Sequence, residues 1–272
     1  MAFHYARAMA ASFETTNALA RHLMHRIWFF AACGPIQADV ALERFAPSKL
    51  VALREDAARI FGSTRFSRAT GTLIAMVEND PPVESTAAWA RVMIGGERAL
   101  TALRQKDSEA ARRALALRAA ELPEDWIKKE LAREASWALV RGAGFQRLGS
   151  CRAPIEGSLD HREPIMRACG ALALARLDGG ATLPRLERVH GEASDHMERL
   201  FAALAIVHLA PARFPDLEME LRRDLARDSF FFETALQEDI LSVLAAVATP
   251  AAARLHDAWK GLYPPSSVTW HA

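Results

Sequence analysis

The stretch that decides the fold is Ile165-Met-Arg-Ala-Cys-Gly-Ala-Leu-Ala-Leu-Ala-Arg-Leu-Asp-Gly179. It is rich in the strongest helix formers and closes on Asp178-Gly179-Gly180, a helix stop. Similar runs stand on either side of it. REASWALVR begins at Arg133, ERLFAALAIVHL at Glu198 and DILSVLAAVA at Asp239, so with the central run counted from Met166 the starts are offset by 33, 32 and 41 residues. Each run follows a shorter helical segment across a tight turn. One helical hairpin repeated every few tens of residues is the pattern of an α-solenoid, because a lone hairpin cannot bury its apolar face and stacked neighbours can.

Punctuation places the other helices. Toward the N-terminus the periodicity predicts helices over 14–32, 36–45, 48–61 and 64–79, with Asp80-Pro81-Pro82 as the clearest break. A helix from near Ser85 is interrupted at Gly95-Gly96 and resumes to about Gln105. Asp107 and Ser108 open a helix running to about Glu121. Pro123 opens the next, which is expected to continue through Trp126, Leu131, Trp137 and Leu139. Asp160 with Glu163 reads as a capping box, and Thr182, Ser194 and Ser229 read as further caps. Thr249-Pro250 starts a last helix to about Gly261. Strand signals are nearly absent.

In its middle copies the chain resembles the bacterial HEAT-repeat family. Arg167, Ala171, Leu174 and Leu177 take the places of that family's Arg-x-x-Ala-x-x-Ala-Leu-x-x-Leu helix, followed by Asp178-Gly179 and then Pro184. The resemblance covers about residues 107–262 and is most specific over 160–210. It implies an all-α, right-handed α-solenoid of HEAT-like antiparallel helical hairpins over 106–262. A less regular helical part over 1–105 would precede the stack, and a loose tail over 263–272 would follow it.

Composition bounds the function. The 34 Lys+Arg against 33 Asp+Glu leave a net charge of +1, which argues against a dedicated nucleic-acid binder. Residues 1–150 carry 21 basic and 16 acidic groups, residues 151–272 carry 13 and 17. No apolar run approaches the roughly 18–20 residues that span a membrane. The apolar stretch Ile27–Cys33 is too short for a secretory leader and follows polar sequence. Three unpaired cysteines, Cys33, Cys151 and Cys169, fit reduced thiols in a cytoplasmic protein. The preference for Arg over Lys and the abundance of Ala accord with a bacterial genome rich in G and C.

No catalytic motif is present: no Gly-x-Ser-x-Gly, no Walker loop, no dinucleotide fingerprint and no His-Glu-x-x-His. No catalytic residue, metal ligand set or cofactor is therefore assigned. His22, His25 and Cys33 lack a further ligand at metal spacing, and read instead as polar residues flanking an apolar helix face. His190, Glu192, Asp195 and His196 crowd one turn, and Asp160, His161 and Glu163 another; both sets suit helix ends. Phe230-Phe231-Phe232 and Trp28-Phe29-Phe30 each point three aromatics in three directions, as corner plugs or partner contacts. Trp126 beside Asp125, Lys128, Lys129, Arg133 and Arg141 has the residue types of HEAT-like DNA glycosylases without their motif.

The expectation that follows is a non-enzymatic adaptor or scaffold that presents a curved helical surface to another protein. Arg133, Arg167 and Arg199 fall at corresponding places in successive copies. They form either a ladder toward an acidic partner or struts between repeats. With Trp126 and Phe231 they are the candidate partner contacts. The alternatives are an all-helical nucleic-acid enzyme of glycosylase type and a structural subunit of a larger assembly.

Overall fold

The computed structural model describes residues 35–228 and 234–262, and among them every regular element is helical. The expected helix over 14–32, the His22–His25–Cys33 and Trp28–Phe30 groups, the Ser229 cap, Phe231 and the tail from 263 lie outside the described residues. The chain forms two compact units that meet in sequence between residues 115 and 116.

The first unit holds α1 (Pro35–Val40), which runs into a π-helical turn over Ala41–Phe45, then α2 (Val51–Ser63) and α3 (Thr70–Asn79). Next come α4 (Glu84–Ile94), α5 (Glu97–Gln105) and α6 (Glu109–Ala116). Helix α4 packs on both α2 and α3. Leu53, Ile60, Phe61, Leu73, Val77 and Val92 are buried there. Arg54 grips Asp80 with two hydrogen bonds of 2.5 and 3.0 Å, tying the start of α2 to the Pro81-Pro82 turn. Gly95 and Gly96 adopt φ of 78° and 86°, a region that bars side chains, and so turn α4 into α5 as the sequence predicts.

The second unit contains α7 (Glu124–Arg133), α8 (Trp137–Phe145), α9 (Arg152–Ser158) and α10 (Pro164–Asp178). It continues with α11 (Leu183–Glu192), α12 (His196–Leu209), α13 (Phe214–Asp228), α14 (Thr234–Ala246) and α15 (Pro250–Leu262). The inner helices pack side by side, α8 on α10, α10 on α12 and α12 on α14. The outer helices α7, α9 and α11 each back the inner helix that follows them. This is a stack of helical hairpins.

The layering follows from side-chain pattern. In α12 every residue from Leu200 to Val207 is buried, and in α10 every residue from Ala168 to Arg176. A helix apolar all round must be enclosed, whereas α11 carries a single stripe and buries Leu186. Small residues set the spacing. A Cβ at Gly144 would overlap both the backbone and the methyl of Ala173, so α8 and α10 touch nearly main chain to main chain.

Several boundaries differ from the expected ones. The helix expected to run from Pro123 through Trp137 is two helices: α7 ends at Arg133, and Ser136 Oγ accepts from the Leu139 N–H to start α8. The Asp160–Glu163 capping box does not form; Glu163 sits at the cap position without a side-chain bond and Pro164 opens the helix. The Glu163 N–H instead donates to His161 Nδ1 at 3.1 Å. Asp195, not Ser194, caps α12, accepting from the Met197 and Glu198 N–H groups at 2.9 and 3.2 Å. The carboxylate reaches two donors there, and its charge suits the positive helix end.

Candidate functional site

The register of the inner helices decides what the aligned arginines do. Arg167 and Arg199 are both the fourth residue of their helix, α10 and α12. Arg133 is not in that series, because it closes the outer helix α7, where it is exposed. The two in register are held within the stack. Arg167 donates to Glu198 of the next inner helix at 2.7 Å and to the His161 and Arg162 carbonyls at 2.7 and 3.0 Å. The hydrogen bond to Glu198 raises its affinity for its proton. Arg199 lies 3.2 Å from Glu220 on α13, which His190 also meets at 3.1 Å. Each arginine thus joins one hairpin to the next. Arg213 does the same in the outer layer, at 2.5 Å from Glu187.

Around Arg167 the second and third hairpins leave a groove of about 320 Å³. Its charged walls are Asp160, Arg167, Arg185, Arg188, Glu192 and Glu198. Helix α11 supplies Arg185, Arg188 and Glu192 from one face, since positions three and four apart share a side of a helix. Arg167 and Glu198 are committed to one another. The remaining walls offer two guanidiniums and two carboxylates to an incoming chain. Sequence reasoning passed over Arg185 and Arg188, whose only signal was the spacing that puts them on the Glu192 face of α11.

Trp126 is half-buried near the start of α7 and Asp125 is exposed. Lys128 lies 3.4 Å from Glu124 one turn earlier, so part of this basic group is an intrahelical pair on a solvated face.

A second polar group was not anticipated at all. Arg141 of α8 and Arg176 of α10 converge on Asp239 of α14. Arg141 Nε donates to one carboxylate oxygen at 2.7 Å and Arg176 Nη2 to the other at 2.8 Å. The three are 4, 8 and 1 % exposed respectively. Arg176 Nη2 also lies 3.4 Å from Ser242 Oγ. Phe145, the last residue of α8, spreads its ring over both guanidiniums, 5.0 Å from Arg176 and 5.8 Å from Arg141. The fourth inner helix therefore reaches back to the first two through these side chains.

Titratable neighbours feel this cluster. Burial pushes the Cys169 thiol well above its usual range, and the Asp239 charge adds to the effect. Cys151 is likewise raised by burial. Both thiols are thus protonated and poor nucleophiles. His208, in the last turn of α12, is lowered below 6.5 by burial, then by Arg176 and Arg147. The folded state accordingly holds His208 neutral at pH 7. Its contribution to stability is complete above the unfolded-state value and is lost as pH falls through it toward the folded value. The melting temperature is expected to fall as pH drops through the range where a free histidine takes up its proton, and His208→Gln to flatten part of that slope. Thermal denaturation of both proteins across this window checks it.

Among the described residues no three His, Cys, Asp or Glu side chains gather as a metal ion would require, and no helix is long and apolar enough to cross a membrane. No protein-family model matches the chain, and no curated protein matches it. One solved structure with some similarity is human deoxyhypusine hydroxylase in complex with glycerol. It is 15% identical, with 96% of each chain covered and a TM-score of 0.36. At that level the likeness carries no functional argument, and the reading of function rests on the chain's own geometry.

Proposed function

We propose that this protein is a non-enzymatic adaptor that holds a charged segment of a partner protein in the groove between its second and third hairpins. One observation carries the reading: the groove brings Arg185 and Arg188 to the edge of the Arg167–Glu198 pair. Those two guanidiniums are matched to acidic side chains of a partner, while Asp160 and Glu192 on the same walls set its register by admitting a basic one. Helical-repeat stacks expose extended surfaces of this kind, and such surfaces commonly hold another macromolecule. Arg167 and Arg199 serve in this reading as struts that keep the groove walls in place, rather than as the contacts themselves. The buried, protonated thiols are in keeping with a role that needs no nucleophile.

The test is affinity capture from the source cells with wild type and with Arg185→Glu/Arg188→Glu. Circular dichroism and the melting temperature establish that the variant folds. A stoichiometric protein partner is expected with wild type and is expected to be lost from the variant. The reading fails if the partner survives the charge reversal, or if wild type elutes with no stoichiometric protein. Co-eluting nucleic acid in place of a protein would move the assignment to the glycosylase-type alternative and to Asp125 and Trp126.

A further inference from the structure

The Arg141–Asp239–Arg176 group is not neutral. One buried carboxylate answers two buried guanidiniums. Glu238 stands 3.5 Å from Arg141 but is 63 % exposed, so water screens it. Uncompensated charge in a protein interior is expensive, and buried polar groups nearly always find partners. Here Arg176 Nη1 is buried and has no hydrogen-bond partner. The ring lying over that guanidinium belongs to Phe145, which is 48 % exposed, an unusual state for a large apolar side chain.

One further cation, Arg147, and a neutral histidine, His208, lie at the same end of the inner helices. Arg147 follows α8, is exposed and holds a backbone φ of 56°. That left-handed residue closes α8 in a Schellman-type cap, the Leu148 N–H donating to the Ala143 carbonyl at 2.9 Å, and it leaves the Arg147 side chain at the end of the helix. His208 stands in the last turn of α12, within the electrostatic reach of Arg176 and Arg147. The carbonyl ends of α8, α10 and α12 make cations tolerable at this end of the stack. They do not supply the acceptor that Arg176 Nη1 lacks.

We propose that this corner is a binding site for a small oxyanion, a phosphate or carboxylate group. Arg147 and His208 receive it at the rim, and Arg176 Nη1 meets it once the Phe145 ring turns aside. Guanidinium is the side-chain group best matched to such anions, through paired N–H donors. An anion there would neutralise the surplus charge and satisfy the orphaned donor together. The site is separate from the groove of Arg185 and Arg188, so neither proposal depends on the other.

The test is calorimetric titration of the full chain at low ionic strength with inorganic phosphate and, separately, with citrate. Arginine side-chain NMR resonances are followed in parallel. Saturable binding is expected in the millimolar range or tighter, weakening as salt is added, with movement of the Arg176 signals. Arg147→Ala/His208→Gln, which spares the buried triad, is expected to weaken it by about tenfold or more. Binding of phosphate alone assigns a phosphate group and binding of citrate alone a carboxylate; either upholds the site. The proposal is overturned if neither anion binds at millimolar concentration, or if the rim variant binds as wild type does.

Discussion

Asp239→Ala is expected to destabilise the second unit by about 3–5 kcal/mol, the usual cost of removing one partner from a buried ion set. The residue is 1 % exposed and accepts from both Arg141 and Arg176, so its loss strands two guanidiniums that water cannot reach. For a unit of this size the melting temperature is expected to drop on the order of 10 °C. Asp239→Asn keeps the shape and loses the charge, and is expected to fall in the same direction by less. Replacing all three charges with apolar residues of similar volume is expected to restore much of the stability, since it removes the desolvation cost with the attraction. Urea denaturation of the four proteins checks this, and an Asp239→Ala midpoint equal to wild type would remove the triad from any account of the fold.

Gly144→Val is the second large effect, about 1–3 kcal/mol or more of destabilisation from overpacking. The new side chain would enter the backbone of Ala173, and neither inner helix has a flexible group there to yield. Gly157 provides the contrast. It is an exposed residue of α9 with open space where its Cβ would stand. Gly157→Ala is expected to be neutral, or to gain up to about 1 kcal/mol from helix propensity. Comparable losses at both positions in denaturant melts would show that the spacing of α8 and α10 is not set by Gly144.

The helical stack was legible because its punctuation is local. Gly95-Gly96, Asp178-Gly179 and Thr249-Pro250 act through their own backbone preferences, and all three end or begin helices where expected. The break after Arg133 was not legible, since Glu134, Ala135 and Ser136 are all compatible with a continuing helix. Only the Ser136 hydroxyl, bonding forward to the Leu139 N–H, marks it. The alignment of Arg133 with Arg167 and Arg199 fails for the same reason, since it holds only if that break is ignored. The polar triad was invisible because its members are single charges in three helices, the farthest pair 98 residues apart. A trace was present. Arg141 in WALVRGAGF and Arg176 in ALALARL are lone charges within runs that the repeat pattern assigns to the interior.

The return of Asp239 to Arg141 also changes how the second unit comes apart. In an open array each repeat leans on its neighbours alone, and the ends can fray one hairpin at a time. Here the last inner helix is fastened to the first, so neither end can loosen without exposing charges at the other. The hairpins are bound into one cooperative block, and a chain cut short of α14 would lose the counter-ion of hairpins that remain.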